Sequence, residues 1–187
     1  MNKKRLITLL FFGLGLIYIL WPTPSLDKNI PPLPQSLKSD EPGDTTQVKN
    51  VAAYFSNYRR SEAVKFYKDQ FSYLNIFGFT IPPIRLNHPP EEAFTYIRDQ
   101  QPSTFLEQYT YPLRDSLFVN GFEPFDEKGK PYRDGATDIY VNGSFYETKT
   151  TLRYFGSSAA TRLVIYILIW ICLIALLKLS RKATIEK

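Results

Sequence analysis

The chain reads as an α+β protein. Two transmembrane helices are expected to flank a small extracytoplasmic domain of about three helices followed by a two- or three-stranded antiparallel sheet. Three observations predict this. Uncharged apolar runs abut basic residues at both ends. Apolar spacing between them is first broadly helical and then turns β-branched and aromatic. The tripeptide Val-Asn-Gly occurs twice, in LFVNGFE and IYVNGSF, each time among large apolar residues.

The N-terminal run LITLLFFGLGLIYILW, residues 6–21, follows a basic tail, residues 1–5. It predicts a transmembrane helix or signal anchor, because WPTPSLDK offers no clear small-residue cleavage site. The C-terminal run LVIYILIWICLIALL predicts a second transmembrane helix over residues 162–179 and a basic tail over 180–187. Both runs are short for a span of ~20 residues, which flanking Lys and Arg stems can extend by snorkelling. The positive-inside rule puts both tails in the cytoplasm and residues 22–161 outside, in a multi-pass protein of the cell membrane.

The net charge of +5 could suggest nucleic acid, but it resides in the ends. Residues 22–161 hold 15 Lys and Arg against 17 Asp and Glu, so no nucleic-acid partner is expected. Cys172 lies in the second run, which leaves the exported part without a disulfide, a thiol nucleophile or a cysteine metal site. Its core must be aromatic, with 11 Tyr and 12 Phe in that stretch.

Residues 22–43, with six prolines, read as an extended stalk. The α+β domain is expected over residues 44–161. Asp44, Thr45 and Thr46 can cap a helix running through VKNVAAYFSNYRRSEAVKFYKDQF, with a break between Asn57 and Ser61. NIFGFTIPPIRLNHPP is an extended connection. Pro89-Pro90-Glu91-Glu92 opens another helix, with Ala93, Phe94 and Ile97 inward. Thr104 and Glu107 form a capping-box pattern ahead of a helix from Phe105 to Phe118, interrupted near Pro112. On that reading Asn120-Gly121 is the left-handed helix stop.

The second Val-Asn-Gly differs. Asn142-Gly143 is a two-residue hairpin loop that pairs Val141 with Ser144 and Ile139 with Tyr146. Asn142-Gly-Ser also matches a glycosylation sequon, but the tight turn accounts for the residues. FEPF can add a third short strand.

Candidate chemistry is sparse. His88, the single histidine, sits among prolines and reads as a turn residue. Asp126, Glu127, Asp134 and Asp138 lack calcium-loop spacing. No catalytic, cofactor-binding or metal-binding residue is expected. Arg98, Asp99, Arg114 and Asp115 are expected to form structural ion pairs locking two helices. The functional expectation is a non-catalytic integral membrane protein presenting an interaction or assembly domain in the cell envelope. The alternative is an extracytoplasmic ligand-binding or sensing subunit. Expected partners are the lipid bilayer and a membrane or envelope protein, or a second copy.

Overall fold

The computed structural model describes residues 3–24, 30–97 and 103–185. The chain divides into two compact units, Met1–Pro22 with Ser157–Lys187, and Thr23–Gly156.

The first unit holds α1 (Lys3–Leu20) and α5 (Ala159–Ile185). Their contacts step back along α1 as they advance along α5, so the two run antiparallel. The Tyr166 ring lies against Gly15 and its hydroxyl donates to the Phe12 carbonyl at 2.8 Å, while Phe12 meets the Trp170 edge at 5.5 Å. Among the described residues one helix, Ala159–Thr184, is long and apolar enough to cross a membrane by length and composition. The apolar part of α1, Arg5–Leu20, falls short. At 1.5 Å per residue it reaches about 24 Å, less than the ~30 Å of a hydrocarbon core. The expectation of two spans is therefore corrected to one candidate span.

The second unit is built on a six-stranded antiparallel sheet, ordered β1 (Leu37–Lys38), β2 (Val51–Ser56), β10 (Thr148–Gly156), β7 (Asp115–Phe122), β6 (Phe105–Tyr111), β5 (Ile84–His88). Two small hairpins, β3 (Asn75–Ile76) with β4 (Phe79–Thr80) and β8 (Ile139–Val141) with β9 (Ser144–Tyr146), stand beside it. α2 (Pro42–Thr45), α3 (Arg60–Phe71), a 3-10 turn (Pro90–Glu92) and α4 (Ala93–Tyr96) complete the unit. It is a sheet-rich α+β fold, not three helices with a small sheet.

Two expected helices are strands. The first half of the helix placed after Thr46 is β2, buried along its whole length between β1 and β10. Asn50, at φ 57°, turns the chain just before it. A six-residue apolar run buried on both faces has no periodicity of its own, so tertiary pairing decides it. Arg60–Phe71 is helical as expected.

The helix placed over Phe105–Phe118 is the β6–β7 hairpin. Leu106, Tyr109, Leu113 and Leu117 have helical spacing, but Phe105, Glu107, Tyr109 and Tyr111 also alternate, and they line one sheet face. Pro112 occupies the turn, where its missing N–H costs nothing. The Arg114 N–H closes that turn on the Tyr111 carbonyl at 3.0 Å, and Leu113 takes the positive φ of 65° that a type II turn requires. Asn120-Gly121 consequently caps no helix. Both lie inside β7, paired with Leu106 and Phe105.

α3 covers the Phe105–Tyr111 face, where the Tyr109 hydroxyl donates to the Val64 carbonyl at 3.0 Å. The other face is covered by Ala93 and Ile97 packing on Leu106 and Phe118, and by Ile139 packing on Phe55 and Phe122. Phe94, expected inward, is exposed: Ala93 and Ile97, four residues apart, take the inward side of this single turn, and the position after Ala93 falls about 100° round the helix. In the proline-rich stretch expected as a stalk, Leu33 is buried and Leu37–Lys38 pairs with β2 as an edge strand.

The Asn142-Gly143 loop has the expected register, Val141 opposite Ser144 and Ile139 opposite Tyr146, with φ of 51° and 78°. A Cβ at Gly143 would meet nothing within 4 Å, so only the backbone opposes substitution. Gly143→Val should cost about 1–2 kcal/mol, the strain of a β-branched residue at positive φ. Thermal unfolding of the full chain in detergent checks this; an unchanged midpoint would reject the strain argument.

Candidate functional site

β5 and β6 set Arg85 and Asn87 beside Glu107 on the α3 face of the sheet, with Asn87 directly opposite Glu107. The Glu107 side chain is 0% exposed. Arg85 donates from Nε and Nη2 to its two oxygens, each at 2.8 Å. Arg60, at the first turn of α3, donates from Nη2 to Glu107 Oε1 at 2.8 Å and to Asn87 Oδ1 at 3.1 Å. Its guanidinium also lies 5.4 Å over the Phe105 ring. One buried carboxylate thus fixes two guanidinium planes, both of which remain about half exposed.

Those planes form one wall of a cleft of about 640 Å³, with Arg59, Lys65, Lys68 and Tyr132 also lining it. Arg59 pairs with Glu147 at 2.8 Å, and Lys65 with Asp69 at 3.1 Å on the helix surface. Glu123 lines the cleft too: its carboxylate accepts the Arg60 backbone N–H at 2.5 Å, at the N-terminus of α3, where the helix dipole favours a negative charge.

The two acids respond to this setting in opposite ways. Burial alone would raise the Glu107 carboxyl, but hydrogen bonds and charge from Arg85 and Arg60 outweigh it and hold the group below the usual carboxylate range. Burial raises Glu123, and the Arg60 amide and the nearby guanidiniums offset this only in part. Glu123 therefore takes a proton before an ordinary glutamate as pH falls.

The cleft presents fixed hydrogen-bond donors with positive charge, a geometry suited to a carboxylate or phosphate group. General acid–base chemistry finds no histidine here. His88 lies on the opposite sheet face, hydrogen-bonded through Nε2 to Gln108 Oε1 at 2.8 Å and packed beside Tyr96 and Phe118. Among the described residues no group of three His, Cys, Asp or Glu side chains could hold a metal ion. Asp126 instead closes its own loop, accepting the Lys128 and Lys130 amides at 2.8 Å each.

The expected ion-pair residues separate. Arg98 and Asp99 lie outside the described residues. Arg114 and Asp115 are buried at the β6–β7 turn, not on a helix, with Nε 3.9 Å from Oδ1. Tyr73 donates its hydroxyl to Asp115 at 2.7 Å and receives Arg114 Nη2 at 3.1 Å, and Tyr154 adds a bond to Asp115 at 3.2 Å. This is a polar brace at the end of the sheet, away from the cleft residues. Asn142 and Gly143 serve the outer hairpin, and Asn120 accepts the Ser103 hydroxyl.

Sequence reasoning missed Arg60, Arg85, Glu107 and Glu123. The available signal was the alternation Phe105-Glu107-Tyr109-Tyr111, which aims a charged residue at the apolar face and so calls for a cationic partner. The chain matches no family model, no curated protein and no solved structure.

Proposed function

We propose that this is a non-catalytic integral membrane protein of the cell envelope, whose sheet unit binds an acidic group of a partner protein in the arginine-lined cleft. The observation that carries the binding role is Glu107, wholly buried and holding Arg60 and Arg85 at the cleft wall. Burying a carboxylate for packing alone is unfavourable compared with an apolar residue, and two oriented forks at an open cleft are its return. The anchoring role rests on α5, the candidate span, whose charge-free stretch from Leu163 to Leu177 is succeeded by Lys178, Arg181 and Lys182 in its last turns. Those residues favour a cytoplasmic C-terminus and an extracytoplasmic sheet unit. The cleft volume also suits a small acidic ligand, which supports a sensing subunit as the second reading.

Two measurements test the proposal. In cells carrying Cys172→Ala, a thiol reagent that cannot cross membranes should label Lys128→Cys directly and Thr184→Cys only after permeabilisation. The reverse pattern would reject the topology. Purified full chain in detergent should bind an aspartate-rich fluorescent peptide in a salt-sensitive way, and Arg85→Ala should weaken it about tenfold, the ~1.5 kcal/mol of a charged hydrogen bond. Equal binding by Arg85→Ala would exclude the cleft. Displacement by citrate at matched ionic strength would favour the small-ligand reading. Binding should tighten as pH falls from neutral into the weakly acidic range, because burial makes Glu123 take its proton before the carboxylates of the peptide, which removes a negative charge from the cleft while the peptide stays ionised. Glu123→Gln should bind tightly throughout that range; a retained pH response would assign the effect to another group.

A further inference from the structure

From Gln70 to Ile84 the chain carries no charged residue. Within it, β3 and β4 form a hairpin with Phe77 and Gly78 as its two-residue loop, at φ of 52° and 85°. Glycine adopts that conformation freely, but phenylalanine does so only under strain, and Asn would serve the turn better. The conformation holds the Phe77 ring 75% exposed, close along the chain to Phe79 at 77%. Ile81 and Ile84 are exposed as well. In the β6–β7 turn, Leu113 is another exposed apolar residue at positive φ.

These residues gather at one end of the sheet. The Ile81 N–H donates to the Leu74 carbonyl at 2.8 Å to close the hairpin stem, and the Tyr111 hydroxyl donates to the Ile81 carbonyl at 2.8 Å. Tyr73, just before the stem, is bonded to Asp115. Tyr111 and Asp115 flank the β6–β7 turn, and Gly156, the last residue of β10, pairs with Asp115. The hairpin therefore roots at the end from which the chain leaves for α5. Only Ser157 and Ser158 intervene before Ala159. Three Cα steps limit that link to about 11 Å, whatever its conformation.

We propose that the tip of this hairpin, Phe77 and Phe79, inserts into the interfacial layer of the bilayer that α5 crosses and holds the sheet unit close to the membrane. The proposal rests on the reading of α5 as the membrane anchor. The charge-free part of α5 begins at Leu163, about 6 Å along the helix from Ala159. The hairpin tip lies three residues beyond its stem, about 10 Å at strand spacing. With a headgroup layer of roughly 5–8 Å on each side of the hydrocarbon core, the tip has the reach to enter it. Exposed rings on an uncharged stretch bring burial energy to such a layer without desolvating a charge. The short tether keeps the lipid surface at high effective concentration for them, which favours lipid over a diffusing protein.

The test uses the full chain with Cys172→Ala, reconstituted in phosphatidylcholine and phosphatidylglycerol vesicles. An environment-sensitive fluorophore is attached separately at Phe79→Cys, Leu173→Cys and Lys128→Cys. Lipid carrying a nitroxide near the glycerol backbone should quench the Phe79 label about twofold, lipid carrying it deep in the acyl chain should quench the Leu173 label, and both should leave the Lys128 label unchanged. Phe77→Asp, a change at an exposed ring, should reduce quenching at the Phe79 position. An unquenched Phe79 label beside a quenched Leu173 label overturns the hairpin proposal and leaves the anchor intact. Both unquenched rejects the anchor, and the proposal with it. A Phe79 label quenched only by a nitroxide-labelled second copy overturns the proposal in favour of self-association.

Discussion

Gly121→Asn should be among the most damaging single substitutions in the sheet unit, costing about 3 kcal/mol or more. As a helix stop it would have been mild, since Asn tolerates the left-handed conformation. Gly121 instead faces Phe105 across the β6–β7 pair, and a Cβ there would lie 1.9 Å from the Phe105 ring. That ring is fully buried, covers the glycine and has Arg60 over its face, so it has nowhere to retreat. An aromatic side chain lying across a strand glycine is a known way of shielding the exposed backbone. Gly121→Ala should already lower the unfolding midpoint strongly, and Phe105→Leu should be moderate alone. The combination should be less harmful than the sum, because the smaller side chain makes room. Thermal unfolding of the four full chains in detergent gives the coupling directly, and strict additivity would show that the two residues do not compete for space.

Glu107→Ala is the second large effect, expected at about 2–4 kcal/mol. Removing one partner of a buried pair costs about 3–5 kcal/mol, but Arg60 and Arg85 are each about half exposed and can recover water. Glu107→Gln keeps the shape and loses the charge, which permits a pH test. The folded carboxyl lies below its ordinary range, so its stabilisation is present above the unfolded value of about 4.3 and is lost as pH falls through the folded value. The gap between parent and Glu107→Gln should be widest near neutral pH and should close in strong acid. A gap independent of pH would mean that Glu107 acts through packing and not through charge. Loss of peptide binding by Glu107→Gln, with the fold retained, would tie the carboxylate to the orientation of the two arginines.

The sequence by itself determined the local features whose causes are local. Asn142-Gly143 specified its hairpin and register because a two-residue loop with positive φ at both positions admits few residue types. The helix Arg60–Phe71 was legible from its own pattern, which its tertiary contacts do not contradict. The aromatic composition implied the aromatic core that the sheet displays.

Only the tertiary structure decided the rest. Val51–Ser56 is a short apolar run that suits a helix or a strand equally, and its place between β1 and β10 makes it a strand. Phe105–Phe118 carried two overlapping periods, and a partner on each side selected the period of two. Gly121 looked like a helix stop because the ring that requires it to be glycine comes from the neighbouring strand. Arg60 and Arg85 lie 47 and 22 residues from Glu107 along the chain, and no local rule joins them. Their meeting depends on β5 adding to the sheet edge and α3 crossing its face. Such contacts form between segments whose sequences carry no record of one another, so the cleft became visible only once the strands were paired.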